Sequence, residues 1–141
     1  MNFKLRLSVG RVRMVNDDEV DGMSIDDWRE LWINPRCKRA RRLVTLIHEW
    51  LHAEFFDWSE ARVCRVSREA GERLWAQGWR YSSRGDAKLA GRAADMVVRR
   101  RRLFPAKRKP AIASTLGRLL TKAGYRLSPA CAKRFLRQHL T

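Results

Sequence analysis

The sequence lacks both a long apolar run and the apolar block of a signal peptide. No stretch of 18 consecutive apolar residues occurs in the 141-residue chain, so we expect no membrane-spanning helix. The N-terminal segment MNFKLRLSVG alternates charged and apolar residues, a pattern unlike that of a secretory leader. These features predict a cytoplasmic protein with no membrane partner.

Cysteine and histidine are both scarce. The three cysteines, Cys37, Cys64 and Cys131, are odd in number and form no CxxC pair, which argues against a disulfide framework and a cysteine-rich zinc site. We expect each of them to be reduced and partly buried. Two of the three histidines nevertheless lie four residues apart.

Acidic residues are nearly missing from the C-terminal part. Residues 84–141 hold 16 Lys and Arg against 2 Asp and Glu, a net charge of +14. Residues 1–83 hold 15 against 13, a net charge of +2, and the two values account for the +16 of the chain. This asymmetry predicts two domains, a nearly neutral one at 1–83 and a basic one at 84–141.

The N-terminal part reads as short strands followed by helices. Apolar and polar residues alternate over 3–9, 11–15 and 28–34, which predicts up to three strands, and the acidic segment 16–22 is expected to be a loop. From Arg39 the apolar spacing changes to three and four residues, which indicates a helix. Ser59 is a suitable N-cap for a second helix that ends near Gly78. The expected class is therefore α+β.

The basic part reads as an all-helical extension. Residues 81–86 are expected to form a hinge or linker, and a helix should run from there through four consecutive arginines. A break between Pro105 and Pro110 precedes a helix that should stop at Gly124. A last helix is expected after Ser128-Pro129, and the final two helices could form a helix-turn-helix-like unit.

The segment TLIHEWLHAEF contains the one motif that carries specific chemistry. His48 and His52 stand at i and i+4 on a predicted helix, so their imidazoles project from one face and can bind one ion. Zinc accepts imidazole nitrogens in a tetrahedron, and a catalytic site leaves one position for water. Glu49 would then serve as the general base. The motif predicts a zinc-dependent metallopeptidase (HExxH type) acting on a protein or peptide substrate.

A catalytic zinc site needs a third protein ligand, and the residues leave this choice open. Glu60 is the leading candidate because it opens the second helix, and a tight turn before it could fold it back onto the first. Glu69 and Asp57 are the alternatives.

The block RARRLVTLIHEWLHAEFFDWSEARVCRVSREAGERLWAQGWR (39–80) resembles small phage and prophage zincin-like metallopeptidases. The similarity spans residues 1–80 and includes the strand-rich start, the IHExLHA helix and the S-E-x-x-V helix. It implies a zincin-like body with metal ligands at His48 and His52, a catalytic Glu49, a carboxylate ligand at Glu60, and the cytoplasm of a bacterial host as the compartment. A weaker resemblance is to SprT-like proteases, which join such a domain to a DNA-binding region.

The segment VVRRRRLFPAKRKP (97–110) packs seven cations into 14 residues. Such clusters neutralise phosphates and predict nonspecific nucleic-acid binding. Tyr125 and Phe135 are expected to be core residues more often than base-stacking platforms. Two alternatives to a peptidase stay open, namely a DNA-binding accessory protein with a structural or inactive zincin body and a regulator that binds an acidic protein. The candidate nucleic-acid contacts are Arg99, Arg100, Arg101, Arg102, Lys107, Arg108 and Lys109.

Overall fold

The structure is a computed structural model that describes residues 4–7, 12–13, 19–20, 22–25, 30–33, 37–100 and 102–139. The chain divides into two compact units, Asn2–Glu72 and Arg73–Thr141. It is mainly helical with small sheets, which is compatible with the expected α+β class. The boundary between the two units falls within a helix, Glu60–Gln77, at residues 72 and 73, whereas the predicted boundary after residue 83 follows the change in charge and stays a prediction. Within the described residues, no helix is both long and apolar enough to cross a membrane.

The N-terminal unit begins with five short strands. Strand β5 lies between β1, which is parallel to it, and β4, which is antiparallel to it, while β2 and β3 form a separate antiparallel pair. The strands are β1 Lys4–Leu7, β2 Val12–Arg13, β3 Glu19–Val20, β4 Gly22–Ile25 and β5 Glu30–Ile33.

The strand predictions are partly correct. Each of the three predicted segments contains a strand, but the loop predicted at 16–22 is wrong because β3 and the start of β4 lie in it. Strand β3 has only two residues, and β4 begins with a glycine just after an acidic residue, so apolar alternation does not mark these two strands in the sequence. Their formation depends on the partner strand, and this dependence on tertiary context explains the error.

Helix α1, Arg39–Glu54, packs against β4 and β5. Its apolar residues recur at the predicted spacing of three and four, and this face is buried together with the β5 side chains Leu31 and Ile33. The buried apolar residues of α1 are Leu43, Leu46, Ile47, Trp50 and Leu51. The predicted helix is therefore confirmed, and its apolar face forms the core of this unit.

Helix α2, Glu60–Gln77, follows after a five-residue connection and begins where predicted. The backbone N–H of Arg62 donates to Ser59 Oγ at 3.2 Å, which confirms Ser59 as the cap. Gly71 lies directly against α1, since a Cβ added there would stand 2.6 Å from Val44 Cγ2 and 2.9 Å from Val44 Cα. The missing side chain lets the two helices approach closely, and this approach positions the site.

The C-terminal unit holds the end of α2 and four further helical elements. Helices α3 and α4 pack together, and a Cβ added at Gly117 would lie 3.0 Å from the Cα of Gly91. Tyr125 and Phe135 are buried, which confirms their expected core role. The elements are β6 Arg80–Tyr81, α3 Ala90–Val98, a 3-10 turn Ala106–Arg108, α4 Lys109–Lys122, β7 Tyr125–Arg126 and α5 Pro129–His139.

The prediction of an all-helical extension with a linker at 81–86 is wrong. Strand β6 pairs with β7, and the backbones of Asp86 and Leu127 exchange two hydrogen bonds of 3.0 and 2.8 Å. The segment is thus held by long-range pairing, which a composition rich in serine and glycine does not disclose. Gly85 fits because its φ is +94°, and an added Cβ would meet the Leu127 carbonyl oxygen.

Two helix boundaries in this unit also differ from those predicted from the sequence. Helix α3 ends at Val98, before the arginine run, and Arg102 has a left-handed φ of 55°. Pro110 does not break the chain but lies in the first turn of α4, where no N–H is needed. The predicted stop at Gly124 (φ +85°) and the Ser128 cap, which accepts from Cys131 N–H at 3.2 Å, are confirmed.

Candidate metal centre

The two motif histidines lie one turn apart on the same face of α1. Their Nε2 atoms are 3.1 Å apart, and their ring centroids are 4.7 Å apart. Both side chains are partly accessible, His48 at 19% and His52 at 30%. The local geometry therefore follows directly from the i, i+4 spacing.

Glu60, the first residue of α2, brings its carboxylate to both imidazoles. Its Oε1 is 3.1 Å from His48 Nε2, and its Oε2 is 2.8 Å from His52 Nε2. The carboxylate is well exposed, at 65%, so the cluster opens to solvent on this side. The connection at 55–59 and the Ser59 cap place this residue at the start of the helix.

The spacing of these atoms suits one small cation. A zinc ion about 2.0–2.1 Å from each ligand atom would hold its tetrahedral ligands about 3.3 Å apart. The separations of 2.8, 3.1 and 3.1 Å are close to this edge length, and the two carboxylate contacts are made by different oxygens, Oε1 to His48 and Oε2 to His52. Two imidazole nitrogens and a carboxylate are also the ligand types that zinc takes. The residues present thus fit a zinc ion.

Cys64 is a neighbour of the site that the motif does not predict. It lies one turn after Glu60, with its Sγ 3.5 Å from Glu60 Oε1 and 4.0 Å from His48 Nδ1. Among the described residues, it forms with His48 and Glu60 a group that could hold a metal ion. The available sequence signal was the i, i+4 spacing from Glu60, which places both on one face of α2.

Ser67 is the second unpredicted neighbour. Its side chain is fully buried, with Oγ 3.5 Å from His48 Nδ1 and 3.2 Å from the Cys64 carbonyl, to which it donates. Because the Nε2 side of His48 faces the carboxylate, Ser67 contacts the opposite edge of the same ring.

Burial lowers the pKa of His48 from its usual value of 6.5, and the nearby Glu60 carboxylate opposes this effect, while His52 adds to it. This shift favours the neutral imidazole, which is the form that binds a metal. Burial also raises the pKa of the Cys64 thiol, and the hydrogen bond to Glu60 acts in the same direction.

The other predicted carboxylates lie elsewhere. Glu49 is half-buried on α1, one residue after His48, and its role as the base stays a prediction. Glu69 lies farther along α2, and Asp57 is exposed in the turn. In the part of the chain that the structure describes, neither belongs to the group of candidate ligands, which consists of His48, Glu60 and Cys64 and does not include His52. The alternatives for the third ligand thus lose support relative to Glu60.

The predicted nucleic-acid contacts lie in the C-terminal unit. Arg99, at the end of α3, forms an ion pair of 2.8 Å with Asp95, and Arg101 lies outside the described residues. The remaining candidates are exposed except for half-buried Lys109; they are Arg100, Arg102, Lys107, Arg108 and Lys109. The arginine run is therefore not a continuous helical face.

The division into units sharpens the charge asymmetry. Residues 73–141 hold 18 Lys and Arg against 2 Asp and Glu, whereas residues 1–72 hold 13 of each. The full net charge of +16 thus belongs to the C-terminal unit.

No family model matches the chain, and no curated protein or solved structure is significantly similar to it. The resemblance to phage zincin-like metallopeptidases therefore depends on the residues quoted above and stays a prediction.

Proposed function

We propose that the protein is a zinc-dependent metallopeptidase of the HExxH type. The observation that supports this most is the meeting of His48, His52 and Glu60, whose nitrogen and oxygen atoms lie 2.8–3.1 Å apart. Two of these residues come from one helix and the third from the next, so the cluster needs the tertiary fold as well as the motif.

Each residue has a distinct role in this proposal. His48, His52 and Glu60 would hold a zinc ion, which would supply the means to lower the pKa of a water molecule and to polarise a carbonyl group. Glu49 accepts the proton of the attacking water and later delivers it to the leaving amine. The exposure of Glu60 and the partial exposure of His52 leave one side of the cluster accessible to a peptide.

Metal content and a single amide substitution test this function. We expect the full-length protein, purified without chelator, to hold close to one equivalent of zinc and to cleave an unfolded protein substrate. Glu49→Gln should retain zinc but lower the cleavage rate by about 10²- to 10⁴-fold, the usual contribution of a general base. Glu54→Gln, a change at another half-buried glutamate of α1, is the matched control and should leave cleavage nearly unchanged.

Less than about 0.2 equivalents of zinc would reject the metal site, since such sites bind tightly at neutral pH. Cleavage that persisted in Glu49→Gln would reject Glu49 as the base, even if zinc were present.

Cys64 favours a second candidate function, in which the zinc site is structural. With a thiol 3.5 Å from Glu60 Oε1, a fourth protein ligand is close enough to close the site. The protein would then be a nucleic-acid-binding accessory protein whose +16 unit carries the activity. Recognition of an acidic protein is the corresponding alternative for that unit.

Cobalt substitution separates the two candidates. A thiolate ligand gives an intense sulfur-to-cobalt charge-transfer absorption, and the peptidase proposal expects none. Cys64→Ser should then leave the cobalt spectrum and the cleavage rate unchanged. A charge-transfer band that disappears in Cys64→Ser would favour the closed structural site.

A further inference from the structure

Ser67 lies where it can control one of the proposed zinc ligands without binding the metal itself. It is on α2, seven residues after Glu60 and therefore two turns along the same face. Its hydroxyl oxygen contacts His48 Nδ1, the ring nitrogen that faces away from the ligand cluster. Ser67 is fully buried against this imidazole, and either the hydroxyl group or the ring nitrogen could donate the hydrogen of the contact.

The distances within the cluster assign the proton on the other edge of the ring. The Nε2 atoms of His48 and His52 are 3.1 Å apart, so both cannot carry a hydrogen directed at the other. His52 Nε2 makes the shortest contact in the cluster, 2.8 Å to a carboxylate oxygen, as a charge-assisted donor does. The hydrogen between the two rings therefore belongs to His52. His48 Nε2 also lies 3.1 Å from Glu60 Oε1, so with its lone pair toward that oxygen it forms a pair of acceptors, which suits a bound cation.

The hydrogen bonds of α2 lead to the same assignment. Ser67 has one hydroxyl hydrogen and donates it to the Cys64 carbonyl at 3.2 Å, which leaves its oxygen as an acceptor for His48 Nδ1–H at 3.5 Å. The Cys64 thiol donates to Glu60 Oε1, so this oxygen already has a donor.

We propose that Ser67 is a positioning residue that holds neutral His48 in the tautomer with its proton on Nδ1, so that the Nε2 lone pair faces the metal position. This proposal rests on the proposed zinc function, because the lone pair matters only if a metal binds there. Histidine ligands commonly donate their second N–H to such a partner, which fixes the ring and its basicity.

Nitrogen NMR of the full-length, metal-free protein reads the tautomer directly. The chain has three histidines, so selective ¹⁵N-histidine labelling gives three imidazoles, and His139→Gln assists their assignment. Spectra are recorded at about pH 8.5, well above the usual imidazole pKa of about 6.5. We expect His48 to carry its proton on Nδ1 in the unchanged protein and to shift toward the Nε2–H form in Ser67→Ala.

The matched control is Ser59→Ala, which removes a hydroxyl from the start of the same helix. It should lower stability through loss of the cap but leave the His48 tautomer unchanged. Ser67→Thr keeps the hydroxyl and should retain the Nδ1–H form. If the added methyl group prevents folding, the comparison of the two alanine variants decides alone.

Zinc affinity, measured by competition with a chromophoric chelator, is the second readout. Ser67→Ala should raise the Kd by about 10- to 100-fold, the usual effect of losing a partner of a ligand histidine. A tautomer that does not change in Ser67→Ala, or a Kd within about twofold of the original, would overturn the role of Ser67. A failure of every variant to bind zinc would reject the proposed function, while the tautomer would still decide the role of Ser67.

Discussion

The two units of this chain differ in their net charge and in the side chains that they offer for chemistry. Residues 1–72 hold equal numbers of acidic and basic side chains and contain the cluster of histidine, glutamate, cysteine and serine. Residues 73–141 hold the whole net charge of +16 and, within the part that the structure describes, contain no group of three or more candidate metal ligands. In the proposed function, reaction chemistry and electrostatic attraction therefore belong to different parts of one short chain.

The two units differ in how accurately the fold must place their functional side chains. A metal site needs ligand atoms placed within a few tenths of an ångström, so the first unit depends on a close helix contact. Attraction to a polyanion depends on the number of cations more than on their exact placement. The second unit can therefore end α3 before the arginine run and still retain a strongly positive surface.

The largest expected effect comes from Glu60, the proposed zinc ligand at the start of α2. Glu60→Gln removes a charged ligand and should weaken zinc binding by more than the about 10- to 100-fold typical of changes around the ligands. Glu69→Gln, on the same helix, should leave the Kd unchanged within about twofold. Chelator competition measures both values. A larger loss in Glu69→Gln than in Glu60→Gln would move the third ligand to Glu69.

The next effect tests the charge of the C-terminal unit. Changing Lys107, Arg108 and Lys109 together to Gln should weaken binding to arbitrary duplex DNA. The negative slope of log K against log salt concentration should become less steep, by up to about 3. The control replaces three exposed cations of the other unit, Lys38→Gln, Arg39→Gln and Arg65→Gln, with the same loss of charge. Fluorescence anisotropy at several salt concentrations measures both variants. Equal losses would indicate that only total charge matters, and the absence of DNA binding would reject this role.

A pair of glycines compares the packing of the two units. Gly71→Ala should lower the free energy of unfolding by about 1–3 kcal/mol, because the new Cβ would overlap the backbone and side chain of Val44. Gly91→Ala, with nothing within 4 Å of its added Cβ, should be neutral or raise it by up to about 1 kcal/mol. Urea denaturation gives both values. A stabilising Gly71→Ala would show that α1 and α2 do not approach as described.

The smallest expected effect concerns the start of α2. Ser59→Ala removes the acceptor for Arg62 N–H and should cost about 1 kcal/mol of stability. Zinc affinity should fall only slightly, because Glu60 remains at the helix start. Thermal unfolding with and without added zinc separates the two effects. A loss of zinc binding as large as that of Glu60→Gln would show that the cap holds the ligand in place.

The sequence predicts the locally determined features well. The helix that carries His48 and His52, the cap at Ser59 and the stop at Gly124 are all confirmed, since each depends on residues within one or two turns. The predictions that fail depend on distant partners. Residues 81–86 read as a linker because nothing local reveals that they pair with 124–127.

The same contrast between locally determined features and features that depend on distant residues holds within the candidate site. The sequence by itself determined that two imidazoles share one face of a helix, because 3.6 residues per turn place i and i+4 together. It also determined the partition of charge between the two parts. Only the tertiary structure decided that Glu60 reaches both imidazoles and that Cys64 and Ser67 surround His48. These contacts join two helices, and their distances follow from the approach of Gly71 to Val44, which no local pattern encodes.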